Sequence, residues 1–383
     1  MINYSRQNVN SKDVKSVVET LKSPWLTSGP KIEEFQKKIS KITGSKYSVS
    51  TNSATSALHL SCLSLGLKKN DHLWTSSNTF VASANCGLYC GAKISLVDID
   101  KDNYNINIPL LEKKLILAKK KNKLPKILIP VHFAGLSCDM ERIYKLSKKF
   151  KFKIIEDASH ALGGKYLKNK IGNCKYSDIT VFSFHPVKMI TTGEGGVVTT
   201  NKKKISQEIL RLRDHGIDRV NYRSKEKPWL FSQVMLGYNY RLTDIQASLG
   251  ISQLDRLEYF VKERNQIAKF YNKELKELPL KLPKITKGYL SSFHLYVVQV
   301  LDNRPKKNRD NLIKFLNKNS IRCAVHYIPV YMHQYFKKIG MKKNDYTENN
   351  LYFKRAISLP IYPGLSKDKL RYIIKKIKLF LNK

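Results

Sequence analysis

The sequence predicts an α/β fold in which helices cover both faces of a mainly parallel central sheet. Two observations support this prediction. Short apolar runs alternate with amphipathic stretches between about residues 47 and 215, and small or polar residues follow several of these runs. Strands that alternate with helices typically form parallel sheets. Ligands bind beyond the carboxyl ends of such strands, so we expect the functional residues directly after the runs.

The predicted elements follow one another closely along this part of the chain. Strands are predicted at the apolar runs, which are residues 47–51, 72–77, 94–100, 126–135, 152–157, 178–184 and 195–200. Helices are predicted between some of them, at Thr55–Leu65, residues 79–90 and Met140–Phe150. The pattern therefore contains repeated strand–helix units, as a parallel sheet requires.

A smaller α+β domain is predicted at the C-terminal end. The strand–helix alternation breaks around Pro279 and Pro283, and strand-like segments, a helical pattern near 309–319 and a terminal helix near 366–382 follow. One long helix or two helices over Asp244–Lys276 would join the two parts. We predict a large domain over residues 1–265 and a small domain over residues 266–383.

Composition and charge argue against a nucleic acid or a membrane as the partner of this protein. The formal net charge is +40, but the basic residues are mostly lysines spread along the chain, and no nucleic-acid recognition motif accompanies them. No apolar run is long enough to span a bilayer, and the N-terminus lacks a signal-peptide pattern. We therefore expect a cytoplasmic protein with no nucleic-acid or membrane partner. The six cysteines form no zinc-ligand pattern, so we expect no metal site.

Two stretches that follow strands suit a phosphate and a cationic ring. The stretch Asn52–Leu58 opens a helix directly after the first strand, where free backbone N–H groups favour a phosphate, although its Ser and Thr residues are also ordinary caps. Asp157 ends the run FKIIED, where its carboxylate would hold a protonated ring nitrogen or cap a helix.

Two further stretches suit an amine and a structured loop. Lys188 follows a strand and precedes the glycine-rich TTGEGG, and an amine partly removed from water forms a Schiff base with an aldehyde more readily. A surface lysine explains the position equally well in so lysine-rich a chain. The stretch YNYRL at 238–242 precedes a capped helix start, and it also fits an ordinary loop.

Taken together and in order, these motifs resemble the DegT/DnrJ/EryC1/StrS family of sugar aminotransferases. The family belongs to the fold-type I enzymes that depend on pyridoxal 5'-phosphate (PLP). The resemblance runs from about Tyr4 to the C-terminus and rests on NSATSAL, SSNTFVASAN, EDASHALGG, SFHPVKMITTGEGG and GYNYRLTDIQASLG. It implies a catalytic Schiff-base lysine at Lys188, where some relatives that act as dehydratases have histidine instead.

The resemblance also implies the other cofactor contacts. Asp157 would pair with the pyridine nitrogen, His160 would face the ring hydroxyl, and Phe80 would stack on the ring or simply pack in the core. The backbone of Ala54 and Thr55 and the hydroxyl of Ser183 would hold the phosphate. Asn239 would reach the phosphate from the partner subunit, which implies a homodimer with shared active sites.

Within the family, the resemblance is strongest to transaminases that aminate C4 of a UDP-linked 4-keto-6-deoxy N-acetylhexosamine in pseudaminic acid biosynthesis. It rests on PWLTSGP, KPW and VHYIPVY, although VHYIPVY also fits a strand before a proline turn and Leu230-Phe231 replaces the Tyr-Tyr often found after KPW. The implied amino donor is L-glutamate. The implied sugar-nucleotide site consists of Tyr4, Pro24, Trp25, Leu26, Thr27, Ala54, Ser183, Asn239, His326, Tyr327, Ile328 and Pro329.

Two alternatives to this substrate and function stay open from the sequence. The first is an aminotransferase for another nucleotide-linked keto sugar, such as a dTDP- or GDP-linked 4-keto-6-deoxyhexose or a 3-keto sugar. The second, more remote, is a nucleic-acid-binding regulator, which the charge of +40 brings into consideration.

Overall fold

A computed structural model describes residues 1–218, 222, 226–302 and 304–382 of the chain. Its α-helices are α1 (Ser11–Leu21), α2 (Pro30–Thr43), α3 (Ala54–Ser64), α4 (Ala82–Tyr89), α5 (Ile108–Lys120), α6 (Met140–Phe150), α7 (Lys203–Arg213), α8 (Asp244–Leu254), α9 (Leu257–Leu275), α10 (Arg309–Lys318), α11 (Gln334–Lys338), α12 (Thr347–Arg355) and α13 (Lys367–Asn382). Its strands are β1 (Tyr47–Thr51), β2 (His72–Ser76), β3 (Lys93–Val97), β4 (Ile127–Ile129), β5 (Lys153–Asp157), β6 (Lys165–Tyr166), β7 (Asn169–Lys170), β8 (Ile179–Ser183), β9 (Gly196–Thr200), β10 (Ile217–Asp218), β11 (Ser232–Gln233), β12 (Leu280–Lys281), β13 (Tyr296–Val300) and β14 (Ala356–Leu359).

The large sheet has the strand order β1-β9-β8-β5-β4-β2-β3. The pairings among β2, β3, β4, β5 and β8 are parallel, whereas β9 is antiparallel to both β1 and β8. Its central strands are buried on both faces, which explains why they are nearly continuous apolar runs. The predicted mainly parallel sheet is therefore confirmed, with one reversed strand.

Several predicted elements are shorter in the structure, and two of them show why. The predicted strand over residues 126–135 ends at Ile129, because Pro130 has no N–H to continue a ladder and the chain then turns. The predicted helix near residues 79–90 begins at Ala82, so Phe80 lies in the loop before it. In both cases the prediction identified the element but extended it into the adjoining loop.

The connection between the two sheets consists of two helices rather than one. Helix α8 begins with a capping box formed by Thr243 and Gln246. The helical conformation is interrupted at Asp255 and Arg256, and α9 begins after them. The first turns of α9 pack against the core of the large sheet, whereas its later turns pack against the small sheet. The predicted boundary between residues 265 and 266 lies inside α9 and stays a prediction.

The small sheet has the antiparallel order β12-β13-β14, and its core includes residues of α10 and α13. Ile2 packs into this core and pairs with Ile321, so the first residues of the chain lie against the C-terminal part. Among the described residues, no helix combines the length and apolarity that crossing a membrane requires.

Asp244 joins helix α8 to the start of α2. Its carboxylate accepts hydrogen bonds from the N–H groups of Gly29 (2.7 Å) and Lys31 (2.8 Å), which supplies the cap that α2 lacks from its own N-cap residue, Gly29. Asp244 is fully buried, so if its carboxylate were removed, water could not replace it as the acceptor for these two N–H groups.

We expect Asp244→Ala to lower the free energy of unfolding by about 1–3 kcal/mol, because buried cap donors lose their acceptor. Denaturant unfolding followed by circular dichroism measures the change. The control is Glu33→Ala, which removes an exposed ion pair with Lys37 on the same helix and should lower the free energy of unfolding much less, because solvent screens the pair. Equal losses in the two variants would contradict the capping role.

Candidate active site

The ends of three strands meet at the start of α3. Thr51 of β1 and Ser183 of β8 both pair with Gly196, the first residue of the reversed strand β9. A Cβ atom on Gly196 would lie 2.5 Å from the Ser53 carbonyl oxygen and 2.6 Å from the Ala54 nitrogen, so only glycine permits this approach. Directly paired side chains share a face of the sheet, so Ser183 lies on the same face as this helix start.

The start of α3 has free hydrogen-bond donors. Ser53 is the N-cap residue, and its hydroxyl accepts from the N–H of Ser56 (3.1 Å). The N–H groups of Ala54 and Thr55, at the first two helical positions, have no acceptor within the helix. These donors and the positive end of the helix dipole fit a phosphate group.

Asp157 ends β5 beside this region and is buried. One carboxylate oxygen accepts from the Ser83 hydroxyl (2.6 Å), and the other accepts from the hydroxyl (2.6 Å) and N–H (3.1 Å) of Ser159. All of these partners are donors, which stabilises the negative charge and fixes the carboxylate. The sequence analysis did not identify either serine, although both lie within the motifs quoted above.

Lys188 lies in the turn after β8, where its N–H donates to the His185 carbonyl (2.9 Å). The residue is half-buried, and burial lowers the pKa of its amine to about 8, while the negative charge of Asp157 opposes that shift. A much larger fraction of this amine is therefore neutral near physiological pH than of an ordinary lysine. A neutral amine is the nucleophile that attacks an aldehyde.

His160 and Tyr327 form a hydrogen-bonded pair near Lys188. The N–H of Ala134 donates to His160 Nδ1 (3.3 Å), and Tyr327 Oη lies 2.9 Å from His160 Nε2. Burial, followed by the positive charge of Lys188, lowers the pKa of His160 well below its ordinary value, so the imidazole is neutral. Since Nδ1 accepts from Ala134, the single ring proton lies on Nε2 and points to Tyr327.

Phe80 lies next to Tyr327, with ring centroids 5.9 Å apart. It is 57% exposed, although the residues just before it are buried. A large apolar ring left uncovered at the end of a sheet provides a surface on which a planar cofactor can stack.

Two residues predicted to bind the sugar, Tyr4 and His326, lie beside this pair, and a third, Tyr327, belongs to it. The Tyr4 ring is 5.4 Å from that of His326, and the N–H of Tyr327 donates to Asn78 Oδ1 (3.2 Å). Burial and the charge of Lys188 lower the pKa of His326 to about 3. Of the next two residues along the chain, Ile328 is exposed and Pro329 is buried. The sequence analysis missed Asn78, which follows a strand in the quoted SSNTF.

The remaining predicted substrate residues lie in two exposed stretches of the chain. Pro24, Trp25, Leu26 and Thr27 are exposed, and Thr27 pairs with Thr243 rather than with the residues around Lys188. Asn239 is also exposed; the next residue, Tyr240, accepts a hydrogen bond from the N–H of Asn52 (2.9 Å) at the start of α3. The predicted roles of these five residues stay predictions.

The arrangement fits PLP group by group. It provides free N–H donors for a phosphate, a fixed carboxylate for a protonated ring nitrogen, an exposed aromatic ring and an amine with a lowered pKa. Within the described ranges, no group of His, Cys, Asp and Glu side chains is suited to hold a metal ion.

Comparisons with known proteins support this interpretation. A model described as the DegT/DnrJ/EryC1/StrS aminotransferase family matches residues 7–378. The chain is 38% identical to the UDP-4-amino-4,6-dideoxy-N-acetyl-β-L-altrosamine transaminase of Campylobacter jejuni, with 99% of each sequence covered. Helicobacter pylori PseC, an aminotransferase involved in the biosynthesis of pseudoaminic acid, superposes with a TM-score of 0.90 at 29% identity, covering 100% of this chain and 99% of that one. Spr1654 of Streptococcus pneumoniae in its PLP form superposes with a TM-score of 0.89 at 30% identity, covering 100% and 98%.

We expect the Lys188 amine of the cofactor-free protein to titrate near pH 8, because burial disfavours its charged form. Asp157→Asn should lower this pKa further, since the opposing negative charge is removed. The measurement is the pH dependence of Lys188 acetylation, followed by mass spectrometry of the peptide that contains it. Asp178→Asn, just before the opposite end of β8, is the control and should leave the titration unchanged. A rise in the pKa of Lys188 in Asp157→Asn would contradict the electrostatic account.

Proposed function

Since the chain belongs to the DegT/DnrJ/EryC1/StrS family and is a PLP-dependent sugar aminotransferase, we propose that it transfers the amino group of L-glutamate to C4 of a UDP-linked 4-keto-6-deoxy N-acetylhexosamine. The observation that carries the proposal is the buried amine of Lys188. Burial lowers its pKa to about 8, and the amine lies close enough to Asp157 for the negative charge of that carboxylate to oppose the shift. The 38% identity to a transaminase of this kind supports the choice of sugar.

We assign each group of the cofactor to residues at the strand ends. Ala54, Thr55 and Ser183 would hold the phosphate, Asp157 the ring nitrogen, and Phe80 the ring face. When bound, PLP supplies an aldehyde that carries the amino group between substrates and a ring that accepts electrons.

The residues around the cofactor have separate tasks. Asp157, fixed by Ser83 and Ser159, would keep a proton on the ring nitrogen. Lys188 would remove a proton from the substrate carbon that bears the nitrogen and deliver it to the carbon on the other side of that nitrogen, because a pKa of about 8 suits an amine that acts as both base and acid near neutral pH. The imidazoles of His160 and His326 are neutral, so neither adds a positive charge that would repel the protonated amine.

The sugar nucleotide would bind on the open side of this site. Tyr4 and His326–Pro329 supply aromatic and polar surface from two distant segments, and we assign the exposed Pro24–Thr27 segment to the same ligand. Aromatic and polar residues of this kind suit a saccharide. The net charge of +40 would attract its diphosphate.

We further propose a homodimer in which Asn239 completes the phosphate site of the partner subunit. Large apolar side chains are exposed in the segment that leads to Asn239, including Trp229 (70% exposed) and Leu236 (79% exposed). Exposed apolar surface of this kind is typical of a protein interface, and a second copy of the chain would cover it.

The sugar specificity is tested by half-reactions. The protein is loaded with PLP, converted with L-glutamate and freed of excess donor, and the visible absorbance of the cofactor is then followed as candidate sugars are added. We expect the original spectrum to return with the UDP-linked 4-keto sugar. If the spectrum returned only with a dTDP-linked 4-keto sugar, the substrate assignment would be wrong, whereas the assignment to the aminotransferase class would stand.

The role of Lys188 is tested in the same assay. Lys188→Ala should abolish both half-reactions, because no amine remains to carry the proton. Lys202→Ala, which removes a surface lysine paired with Asp178, is the matched control and should keep wild-type rates. Appreciable turnover in Lys188→Ala would sink the assignment.

Mixing two inactive variants tests the sharing of active sites. In a heterodimer of Lys188→Ala and Asn239→Ala, one site would contain both native residues if Asn239 acts across the interface. We then expect roughly a quarter of wild-type activity after random exchange of subunits. No recovery after exchange, shown to be complete by mass, would place Asn239 in the site of its own chain.

A further inference from the structure

We propose that Asp98 and Tyr352 are positioning residues for the sugar nucleotide. Asp98 holds the start of helix α12, and the Tyr352 hydroxyl on that helix holds the segment His326–Pro329 in place beside the cofactor residues. The inference rests on the proposed function, in which this segment contacts the sugar. It goes beyond that function because neither residue belongs to the assigned cofactor or sugar contacts.

Helix α12 depends on Asp98 for its first turn. Its own N-cap residue, Tyr346, makes no side-chain cap hydrogen bond. The Asp98 carboxylate accepts instead from the N–H groups of Glu348 (2.9 Å) and Asn349 (3.0 Å), which lie about 250 positions further along the chain. Its negative charge also interacts favourably with the positive end of the helix dipole. A buried residue at the end of β3 therefore caps the helix that leads into the small sheet.

Asp98 is itself fixed at the ends of the parallel strands. The N–H of Ile99 donates to Asp98 Oδ1 (2.8 Å), and the Ser77 hydroxyl donates to the same oxygen (3.4 Å). Ser77 directly follows β2, and its N–H donates to the Val97 carbonyl (2.8 Å), which continues the ladder between β2 and β3. These strands are parallel to β5, which ends at Asp157. The start of α12 is thus held at the same edge of the sheet as the cofactor residues.

Tyr352 links α12 to the segment His326–Pro329. Its side chain is buried, and its hydroxyl donates to the His326 carbonyl (2.6 Å). Burial raises the pKa of Tyr352 well above its ordinary value, so the hydroxyl keeps the proton that this bond requires. Ser358 in β14, the strand that directly follows α12, bonds to His326 Nδ1 (2.8 Å). The unit of α12 and β14 therefore holds both the main chain and the ring of His326.

The segment also returns to the strand ends from which Asp98 is held. The N–H of Tyr327 donates to Asn78 Oδ1 (3.2 Å), and Asn78 directly follows Ser77, whose hydroxyl bonds to Asp98. These contacts form a closed circuit that runs from the end of β2 through Asp98, α12 and Tyr352 and back to β2. Loss of either Asp98 or Tyr352 opens the circuit on the side of α12.

Opening the circuit should affect the two substrates differently. In the proposed function the sugar contacts His326–Pro329, whereas PLP is held by residues of the large sheet and by the start of α3. None of the residues assigned to the PLP phosphate, ring nitrogen or ring face belongs to the circuit. A displaced segment would therefore weaken the binding of the sugar and leave the reaction with L-glutamate nearly unchanged.

The test compares the two half-reactions of PLP-loaded Tyr352→Phe and Asp98→Asn. The first substitution removes the donor to His326, and the second replaces one acceptor oxygen of the cap with an NH2 group. We expect KM for the sugar to rise about five- to tenfold in each variant, because one buried hydrogen bond is lost. The rate with L-glutamate should stay within about twofold of the wild type, since a loss of this size falls on the sugar alone.

A double variant and a control separate positioning from a general loss of stability. Because the two residues act along one path, the double variant should raise KM by no more than about tenfold, less than the product of the single effects. The matched control is Tyr296→Phe, which removes another buried hydroxyl, the donor to Asn272 Oδ1 (2.6 Å). Its KM for the sugar should equal that of the wild type.

The outcomes distinguish this inference from the proposed function. An unchanged KM for the sugar in both single variants would overturn the inference and leave the proposed function standing. Equal losses in the two half-reactions would also overturn it, because general damage to the site would then explain them. If circular dichroism shows that Tyr352→Phe does not fold, Asp98→Asn decides alone. Wild-type protein that does not react with the UDP-linked sugar would overturn the proposed substrate instead, and the variants are then compared with the nucleotide sugar that does react.

Discussion

The whole site depends on the reversed strand β9 and its close approach to the start of α3. Because β9 runs against its neighbours, its first residue, Gly196, lies beside the last residues of β1 and β8. The absence of a side chain there lets the backbone of Ser53 and Ala54 pack onto the sheet. This contact places the free N–H groups of α3 on the same face as Ser183. A parallel strand in this position would have its carboxyl end there instead, and its N-terminal glycine would lie at the opposite edge.

The second determinant of the site is the balance of charge around one amine. Burial disfavours the charged form of Lys188 and lowers its pKa, and the negative charge of Asp157 reverses part of this shift. The charge that remains on Lys188 acts in turn on His160 and His326, which burial already keeps neutral. A neutral imidazole has one donor and one acceptor nitrogen, so its hydrogen bonds have a fixed direction. The same desolvation that prepares the nucleophile therefore also orients the polar groups that surround it.

The sequence predicted the parts of this site that are local in the chain. Asp157 ends a strand, and Lys188 lies between a strand and a glycine-rich turn, so a short window is enough to propose both, although it fits a helix cap and a surface lysine as well. The bonds of Asp157 with Ser83 and of His160 with Tyr327 join residues 74 and 167 positions apart, and no local pattern predicts such pairs. The sequence also could not predict the direction of β9, since a buried apolar run has the same pattern in a parallel and in an antiparallel strand. The neutral state of His160 depends on its burial and on the charge of Lys188, and no local pattern predicts either.

The N-terminal segment shows why the two parts of the chain function together. Tyr4 accepts a hydrogen bond from the N–H of Ile361 (3.0 Å) in the C-terminal part and packs against His326. The hydroxyl of the next residue, Ser5, donates to the Val187 carbonyl (3.3 Å), directly before Lys188. A few residues thus tie the segment that contains His326 and Tyr327 to the turn that contains the reactive amine. The distance between the cofactor residues and the proposed sugar residues is therefore set by this segment as well as by α9.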